Sequence, residues 1–283
     1  MVFGGQILYD SYDRKARLAP ALLAVTPLLS AALFSFENAA IIGRLASLLV
    51  AVGMLWLLVD MSRGIGRSKQ QQLFAKWGGT PSIQLLRHAD RTIDPHTKAR
   101  YHTCLRAKAK VQLPTPAEEA VDPSAADALY DSALQWLLQN TRDKKRFGLL
   151  AAELATYGFR RNAYGMRWIG LAVCVLAALW AVRKAYLVPN ETLLTLVAEP
   201  ATATQLVLCV ALALVWLFYF GEGMARDAAF TYARELLRCC DILAVSRSSR
   251  KPKEASVTKV SDRTQKQPQP DTSTNRQIGS AGS

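Results

Sequence analysis

Signatures of enzyme chemistry are missing from this sequence of 283 residues. It contains no Gly-Lys-Ser or Gly-Lys-Thr phosphate loop and no Gly-x-Ser-x-Gly nucleophile elbow, and the Gly-Ile-Gly at 64–66 lacks the later glycine of a dinucleotide fingerprint. One cluster has metal-ligand residue types, but with a spacing that matches no standard zinc signature: His88, Asp90, His96 and His102. We therefore expect no catalytic residue, no metal and no cofactor, and an enzyme is the least favoured class.

Charged residues are almost missing from four long apolar runs, although they make up 20% of the chain. The runs at 18–36 and 200–221 carry no charge, and those at 39–59 and 168–188 are interrupted by one and two basic residues. Each run is long enough to cross a bilayer as a helix at about 1.5 Å per residue. They exclude an ordinary soluble globule, and the sequence predicts an all-α integral membrane protein with four transmembrane helices.

Cysteine is scarce, with five residues in the chain. Cys174 and Cys209 lie in predicted spans, and Cys104, Cys239 and Cys240 lie in predicted cytoplasmic segments. We expect no disulfide framework, which fits a reducing compartment and excludes a disulfide-rich secreted domain.

Basic residues are distributed unevenly around the apolar runs, and this predicts the orientation of the chain. Of the 35 Lys and Arg residues, 32 lie before residue 18, between 60 and 167, or after 221. Because positive residues are retained in the cytoplasm, these segments are expected there. The sequence therefore predicts a multi-pass protein of the cell membrane with its N- and C-termini in the cytoplasm.

The apolar runs also divide the chain into expected domains. They are 1–59, an N-terminal segment and transmembrane hairpin; 60–167, a helical basic cytoplasmic domain; 168–221, a second hairpin; and 222–245, a cytoplasmic extension of the fourth helix. That fourth helix is expected to be continuous from about 201 to 245. Residues 246–283 are rich in Ser, Lys, Gln, Pro and Thr without apolar periodicity, which predicts a disordered tail.

Proline follows a capping residue at four places in the 60–167 domain, and each pair marks the start of a helix. The pairs are Thr80-Pro81, Asp94-Pro95, Thr115-Pro116 and Asp122-Pro123, and Thr115 with Glu118 also fits a capping box. Together with the apolar spacing they predict helices near 81–89, 95–111, 123–141 and 144–164. The pair Gly78-Gly79 is expected to end a helix that continues from the second span.

The strongest local feature is a set of basic residues, with no acidic residue between Pro95 and Ala117. Lys98, His102, Arg106 and Lys110 recur every fourth residue, so we expect them to share one broad face of the 95–111 helix. The expected ligand-binding residues are Arg87, Lys98, Arg100, His102, Arg106, Lys108, Lys110, Arg142, Lys144, Lys145 and Arg146. One interpretation is a solvated surface that contacts anionic lipid, and the other is a site for the phosphates of a nucleotide or nucleic acid.

Small residues recur at every fourth position in two predicted spans and indicate close helix packing. They are Gly43, Ser47 and Ala51 in the second span, and Gly170, Cys174 and Ala178 in the third. Such residues pack spans within one chain or between subunits, and we expect a homo-oligomer. Pro20 and Pro27 are expected to kink the first span.

The order of segments from Tyr9-Asp10-Ser11-Tyr12-Asp13-Arg14 through Tyr157-Gly158-Phe159-Arg160-Arg161-Asn162 resembles that of poorly characterised bacterial inner-membrane proteins. The layout, which extends to about Val245, is also similar to the membrane effectors of anti-phage systems, including the Hailong type. The resemblance implies an inner-membrane subunit that opens or closes under control of a nucleotide or nucleic-acid signal. It carries over no functional residue, because no stretch is a diagnostic motif.

Two functions from different classes follow from these observations. The first is an oligomeric, ligand-controlled membrane effector or ion channel in antiviral defence, whose basic cytoplasmic domain binds a nucleotide or nucleic acid. The second is a membrane scaffold or assembly factor whose cytoplasmic helices bind a protein partner. The lipid bilayer and further copies of the chain are expected partners of the effector.

Overall fold

The computed structural model describes residues 11–35, 41–186 and 199–245, which form helices and connecting loops without a β-strand. The helices are α1 (Ala19–Ser35), α2 (Ile41–Lys76), α3 (Pro81–Leu86), α4 (Pro95–Ala109), α5 (Pro116–Val121), α6 (Pro123–Asn140), α7 (Gly148–Tyr186), α8 (Pro200–Leu214) and α9 (Glu222–Val245). π-Helical turns at Arg14–Leu18 and Val215–Tyr219 lie before α1 and after α8. The all-helical fold class is confirmed for this part of the chain, and the predicted tail at 246–283 lies outside it.

Three stretches of the described residues are long and apolar enough to cross a membrane: Arg14–Leu33, Gly148–Arg183 and Pro200–Tyr219. The second predicted span falls in α2, where the side chains of 41–48 and of Ala51 lie outside the described residues. Further along α2, Val50 and Trp56 are largely exposed, as lipid-facing side chains of a bundle are. The fold is thus compatible with a membrane location.

All four predicted capping residues begin helices, each with proline in the first turn: Thr80, Asp94, Thr115 and Asp122. The Asp94 carboxylate accepts a hydrogen bond from the backbone N–H of Thr97. Thr115 and Glu118 form the predicted capping box at the start of α5. This short helix is not covered by any of the helix ranges predicted from the apolar spacing. Capping hydrogen bonds to the side chains of Asp94, Thr115 and Asp122 therefore help to decide where three of these helices begin, whereas Thr80 makes no side-chain capping hydrogen bond and α3 starts at Pro81.

The ends of two helices differ in how well the sequence predicts them. The helix α2 ends at Lys76, and Gly78 and Gly79 follow with φ of 85° and 122°, as predicted. Glycine adopts this left-handed region without the clash that a Cβ would cause. By contrast α3 ends at Leu86 rather than near residue 89, because the following segment turns back onto α4 and α5.

The predicted helix at 144–164 and the predicted span at 168–188 are one helix, α7, so the expected boundary between them is wrong. Its 39 residues extend for about 58 Å at 1.5 Å per residue. The helix passes Gly165 without a break because this residue lies where α7 crosses α2, and its missing side chain leaves room for Ile65 and Gly66. Gly66 therefore has a packing role at this crossing, whereas a Cβ at Gly64 would meet nothing within 4 Å.

The expected continuous helix from about 201 to 245 is also wrong, because it is interrupted between α8 and α9. Phe220 leaves the helical conformation with ψ of 61°, directly after the second π-helical turn. The freed carbonyl of Leu217 accepts a hydrogen bond from Nη2 of Arg167 at 2.7 Å. Glu222 then begins α9, and its carboxylate binds Nζ of Lys76 at 2.6 Å and thus joins α9 to the end of α2.

The long helix α7 is the centre of the packing, since it contacts α1, α2, α8 and α9. One apolar core lies among α1, α2, α7 and α8 and includes Val25, Met166 and Trp216. A second core joins α3, α4 and α6 to the second half of α9 and includes Leu105 and Leu237. We call the helices α3, α4, α5 and α6 the α3–α6 unit. It is held against α9 and the start of α7 by this second core.

The predicted small-residue positions on α7 pack within the chain. Gly170 lies directly beneath the indole of Trp216, Cys174 is buried in the same core, and Ala178 packs against Cys209. The side chains of Gly43 and Ser47, like that of Ala51, lie outside the described residues. For the third predicted span, close approach therefore serves packing inside one chain, while assembly between chains stays a prediction.

Gly170→Ala should destabilise the bundle, because the added Cβ would overlap the ring of Trp216. Overpacking of this kind typically costs about 1–3 kcal/mol. The matched control is Gly53→Ala in α2, where a Cβ meets nothing within 4 Å. The control should be neutral or should stabilise by up to about 1 kcal/mol, since alanine is the better helix former. Thermal unfolding of the two variants in detergent measures the difference, and equal midpoints would contradict the packing described here.

Candidate functional site

Two of the predicted ligand-binding residues, Lys98 and His102, do not lie on a solvated face, so this part of the expectation is wrong. Lys98 is 5% exposed and His102 is 3% exposed. Nζ of Lys98 donates to the carbonyl of Arg87 at 2.7 Å and to that of Asp90, and Nε2 of His102 donates to the carbonyl of Leu86 at 2.9 Å. Both side chains bind the chain's own backbone between residues 86 and 90.

Glu119 satisfies the N–H groups of the same segment. Its carboxylate accepts hydrogen bonds from the backbone N–H groups of His88 at 2.9 Å and Ala89 at 3.2 Å, and from the hydroxyl of Tyr130 at 2.7 Å. Buried backbone groups must be hydrogen-bonded, and here side chains from α4, α5 and α6 supply the partners. The sequence pattern did not predict a role for Glu119 or Tyr130. The one feature that sets this part of the sequence apart is that residues 111–141 contain acidic residues but no basic ones.

Burial shifts the pKa values of this polar cluster. Desolvation lowers the pKa of Lys98, although Asp90 and Glu119 act in the opposite direction. Desolvation also lowers the pKa of His102 to about 4, which outweighs the opposing hydrogen bond to Leu86. Burial by itself would raise the pKa of Glu119, but the hydrogen bonds from His88, Tyr130 and Ala89 outweigh it and lower the pKa. His102 is therefore neutral at physiological pH.

The cluster of metal-ligand residue types takes part in this packing. The ring of His88 lies edge-on to that of His102 at 4.8 Å, and its Nε2 donates to the carbonyl of Pro114 at 3.1 Å. His96 is exposed in the first turn of α4. Within the described ranges, no group of three His, Cys, Asp or Glu side chains has a geometry that could hold a metal ion.

Several other predicted basic residues also have partners within the chain. Arg87 forms a two-point ion pair with Asp127, with Nε to Oδ1 at 2.8 Å and Nη2 to Oδ2 at 2.5 Å. The side chain of Asp127 holds the pKa of Arg87 above its usual value, chiefly through this hydrogen bond. Arg100 lies 3.6 Å from the carboxylate of Asp241, in a pair that is largely exposed. Such exposed pairs contribute little to stability.

The last carbonyls of α9 bind two more of the predicted residues. Nζ of Lys108 donates to the carbonyl of Leu243 at 3.1 Å, and Nη2 of Arg146 donates to that of Ile242 at 3.4 Å. The final carbonyls of a helix have no partners within it and carry partial negative charge, so cations are favoured there. These two side chains therefore fasten the end of α9 to α4 and to the start of α7.

The exposed part of the predicted set lies in two places. On α4, Arg106 is exposed, and Lys110 follows the helix in a left-handed conformation with φ of 56°, so it does not continue the helical face. The other place is the loop between α6 and α7, in which all four basic residues are exposed: Arg142, Lys144, Lys145 and Arg146. We call residues 142–146 the basic loop.

The basic loop has a defined conformation. Thr141 and Phe147 on either side of it are buried, and the Thr141 hydroxyl donates to the carbonyl of Leu137 at 2.9 Å. Within the loop, the Asp143 carboxylate accepts a hydrogen bond from the backbone N–H of Lys145, and the Asp143 carbonyl accepts one from that of Phe147, both at 2.9 Å. The backbone is therefore anchored at both ends, and the cationic side chains are exposed at the N-terminus of α7, with Arg146 turned toward the end of α9.

This geometry defines the class: an all-helical protein with membrane-length helices, a folded α3–α6 unit and an exposed basic loop at the start of its central helix. Comparison with known protein families, with curated proteins and with solved structures finds no match.

Lys98→Met should destabilise the α3–α6 unit, because it leaves the part-buried carbonyls of Arg87 and Asp90 without their donor. An unsatisfied buried polar group costs about 1–3 kcal/mol. Lys110→Met is the matched control, since its side chain is exposed and the change should lie within about 0.5 kcal/mol. Denaturant unfolding followed by circular dichroism measures both, and equal stabilities would contradict the structural role of Lys98.

Acidification should destabilise the same unit through His102. Its pKa is about 4 in the folded protein and about 6.5 in the unfolded chain, so the unfolded state binds more protons between these values. The stability contribution is complete above about pH 6.5 and declines as the pH falls toward 4, by up to about 1.4 kcal/mol per pH unit. Unfolding midpoints at pH 7 and pH 5 measure this effect. His102→Gln should reduce the pH dependence, whereas His96→Gln, at an exposed position, should leave it unchanged.

Proposed function

We propose that this protein is a polytopic inner-membrane effector that responds to an anionic cytoplasmic ligand bound at the basic loop. In this proposal the chain has four spans, the second within α2, and both termini are cytoplasmic, as the distribution of basic residues favours. The observation that carries the proposal is the position of the loop, directly before α7, whose uncharged part from Trp168 onward belongs to the candidate membrane stretch.

Attraction to lipid headgroups explains the basic loop poorly. Trp168, which begins the uncharged part of α7, lies twenty residues after Gly148, or about 30 Å along the helix. Exposed charges are screened over about 8 Å at physiological ionic strength, so a loop at this distance gains little from the membrane surface. Basic residues nearer the candidate spans, such as Arg63 and Arg67, fit the lipid interpretation instead.

The loop has the features that favour a phosphate-bearing ligand. Four cationic side chains occur within five residues, with Asp143 as the single acid, and the carboxylate of Asp143 accepts a hydrogen bond from the loop's own backbone. The N-terminus of α7 adds the positive end of its helix dipole. Lys145 supplies a point charge on a flexible side chain, which suits the phosphates of a nucleotide or a single-stranded nucleic acid.

The central position of α7 gives a route from ligand to membrane. A displacement of its N-terminus would reach α1, α2 and α8, because α7 packs against all three. The end of α9 would move with it, since Arg146 of the loop binds the carbonyl of Ile242. A ligand that binds two arrangements of this helix with different affinity would shift the bundle between them. The proposal also includes assembly of several copies around a channel and a role in antiviral defence. These two parts rest on the resemblance to the membrane effectors of anti-phage systems.

One observation favours the scaffold as a second function. Leu149 follows the basic loop on α7 and is 60% exposed, so an apolar side chain stands beside the cationic ones. Protein interfaces often combine an apolar anchor with surrounding charges. In the scaffold interpretation the partner is a cytoplasmic protein with an acidic surface, and the bundle serves as its anchor.

Reversing charge in the loop tests the effector proposal. Arg142→Glu with Lys145→Glu should weaken binding of a fluorescent single-stranded oligonucleotide to the detergent-purified protein. Each lost phosphate contact should also flatten the log–log salt dependence by roughly 0.7. Fluorescence anisotropy over a range of salt concentrations measures both quantities, and ion flux in liposomes shows whether the oligonucleotide changes membrane conductance.

A second charge-reversed pair serves as the comparison. Arg106→Glu with Lys110→Glu changes the exposed remainder of the originally predicted face on α4 by the same four charge units. If this pair weakens binding more than the loop pair, the ligand binds at α4 and the proposed loop site is wrong. If neither pair changes binding or its salt dependence, the effector proposal fails and the scaffold is favoured. Circular dichroism of both variants confirms that they fold.

A further inference from the structure

A groove opens on the α3–α6 unit. It has a volume of about 910 Å³ and lies between α5, the first turns of α6 and the segment that precedes α5. Leu113 and Ala126 are buried at its base, whereas Val121 is 86% exposed and Leu129 is partly exposed at its edge. A groove with so exposed a valine offers apolar surface that is not covered by the described part of the chain.

The charge of the groove is acidic. Residues 111–141 contain five Asp or Glu residues and no Lys, Arg or His. Two of these acids, Glu118 and Asp122, are exposed and line the groove, and Arg106 is the basic residue on its border. A basic segment with a few apolar side chains has the complementary chemistry.

The C-terminal tail of this chain has that composition. Residues 246–283 contain eight Lys or Arg residues and three Asp or Glu residues. Large apolar side chains are rare in it, and two of the three fall close together, at Val257 and Val260. Lys259 and Arg263 lie beside them, together with Asp262, so the stretch Ala255–Arg263 combines a small apolar pair with a net charge of +1.

The tail begins close to the groove. The end of α9 is bound to α4, through Nζ of Lys108 and the carbonyl of Leu243 at 3.1 Å. Arg106, which borders the groove, is two residues before Lys108 on the same helix. The ten residues from Val245 to Ala255 can extend for about 33–36 Å. This reach is about three times the diameter of a helix with its side chains, roughly 10–12 Å, so the stretch can pass around α4 to the groove. A short tether also gives an effective concentration of the order of millimolar, so weak docking is well populated.

We propose that Ala255–Arg263 docks in this groove of the same chain, with its two valines against Val121 and its basic side chains beside Glu118. The docked tail covers the most exposed apolar side chain of the α3–α6 unit. The inference is independent of the ligand proposed for the basic loop, because it rests on α5 and α6 and on the tail.

Disulfide trapping in the full chain tests the docking. Val121→Cys combined with Val257→Cys should form an intramolecular disulfide under mild oxidation, seen as faster migration without reductant. The five natural cysteines are buried, so they compete little. The matched control is Val121→Cys with Ser273→Cys, beyond the proposed segment, and it should form a disulfide several-fold more slowly. Equal rates for the two pairs would overturn the proposal, and so would a disulfide that joins two chains, which would show the tail of another copy in the groove.

Hydrogen exchange of the groove gives a second measurement without new cysteines. Truncation after Val245 should speed exchange of the backbone amides at 121–129, whereas truncation after Arg263 should leave it unchanged. Val121→Lys in the full chain should have the effect of the longer truncation, because it places a positive charge where the basic segment docks. Leu149→Lys, at another exposed apolar position, is its control and should have no effect at 121–129. Exchange rates that are the same with and without residues 246–263 would overturn the proposal.

Discussion

Backbone carbonyl groups without a helical partner must be hydrogen-bonded by other donors inside this protein, and this requirement places many of its polar side chains. Pro20 has no N–H and cannot donate to the carbonyl of Ala16, so Nδ2 of Asn162 donates to it at 2.7 Å. The break after α8 frees the carbonyl of Leu217, and Arg167 of α7 binds it. In both cases a side chain of the central helix restores a hydrogen bond that an apolar environment would make costly to lose.

The same requirement accounts for the polar interior of the α3–α6 unit. The segment at 86–90 leaves the helical conformation while it is covered by α4, α5 and α6, so its carbonyl and N–H groups need partners. Lys98 and His102 donate to the carbonyls, and Glu119 accepts from the N–H groups. Charged residues are rarely buried unless they are paired, and here Lys98 has the backbone carbonyls as hydrogen-bond partners and the Asp90 carboxylate at 3.7 Å as an ionic partner. Basic residues that resemble a ligand site in the sequence thus serve the fold.

Several predicted basic residues are used to bind backbone groups within the chain. The basic residues that stay exposed form a smaller set, most of it in the basic loop. The basic loop is anchored by its buried neighbours Thr141 and Phe147, and its side chains stand at the start of α7. Because α7 also organises the apolar bundle, this is the place in the fold where ligand binding would reach the candidate membrane helices most directly. The proposed effector function follows from that continuity between loop and bundle. The acidic groove on α5 and α6 is a separate surface with the opposite charge.

The sequence by itself determined the helical class, the membrane-length segments and the starts of the helices at Thr80, Asp94, Thr115 and Asp122. These features depend on interactions within a few residues, such as capping hydrogen bonds and uninterrupted apolar runs. Only the tertiary structure decided that Lys98 and His102 are buried, since helical spacing shows which residues share a face but not what covers that face. It also decided that α7 continues past Gly165 and that α8 and α9 are separate, because the packing of Ile65 and the hydrogen bond from Arg167 come from residues distant in sequence.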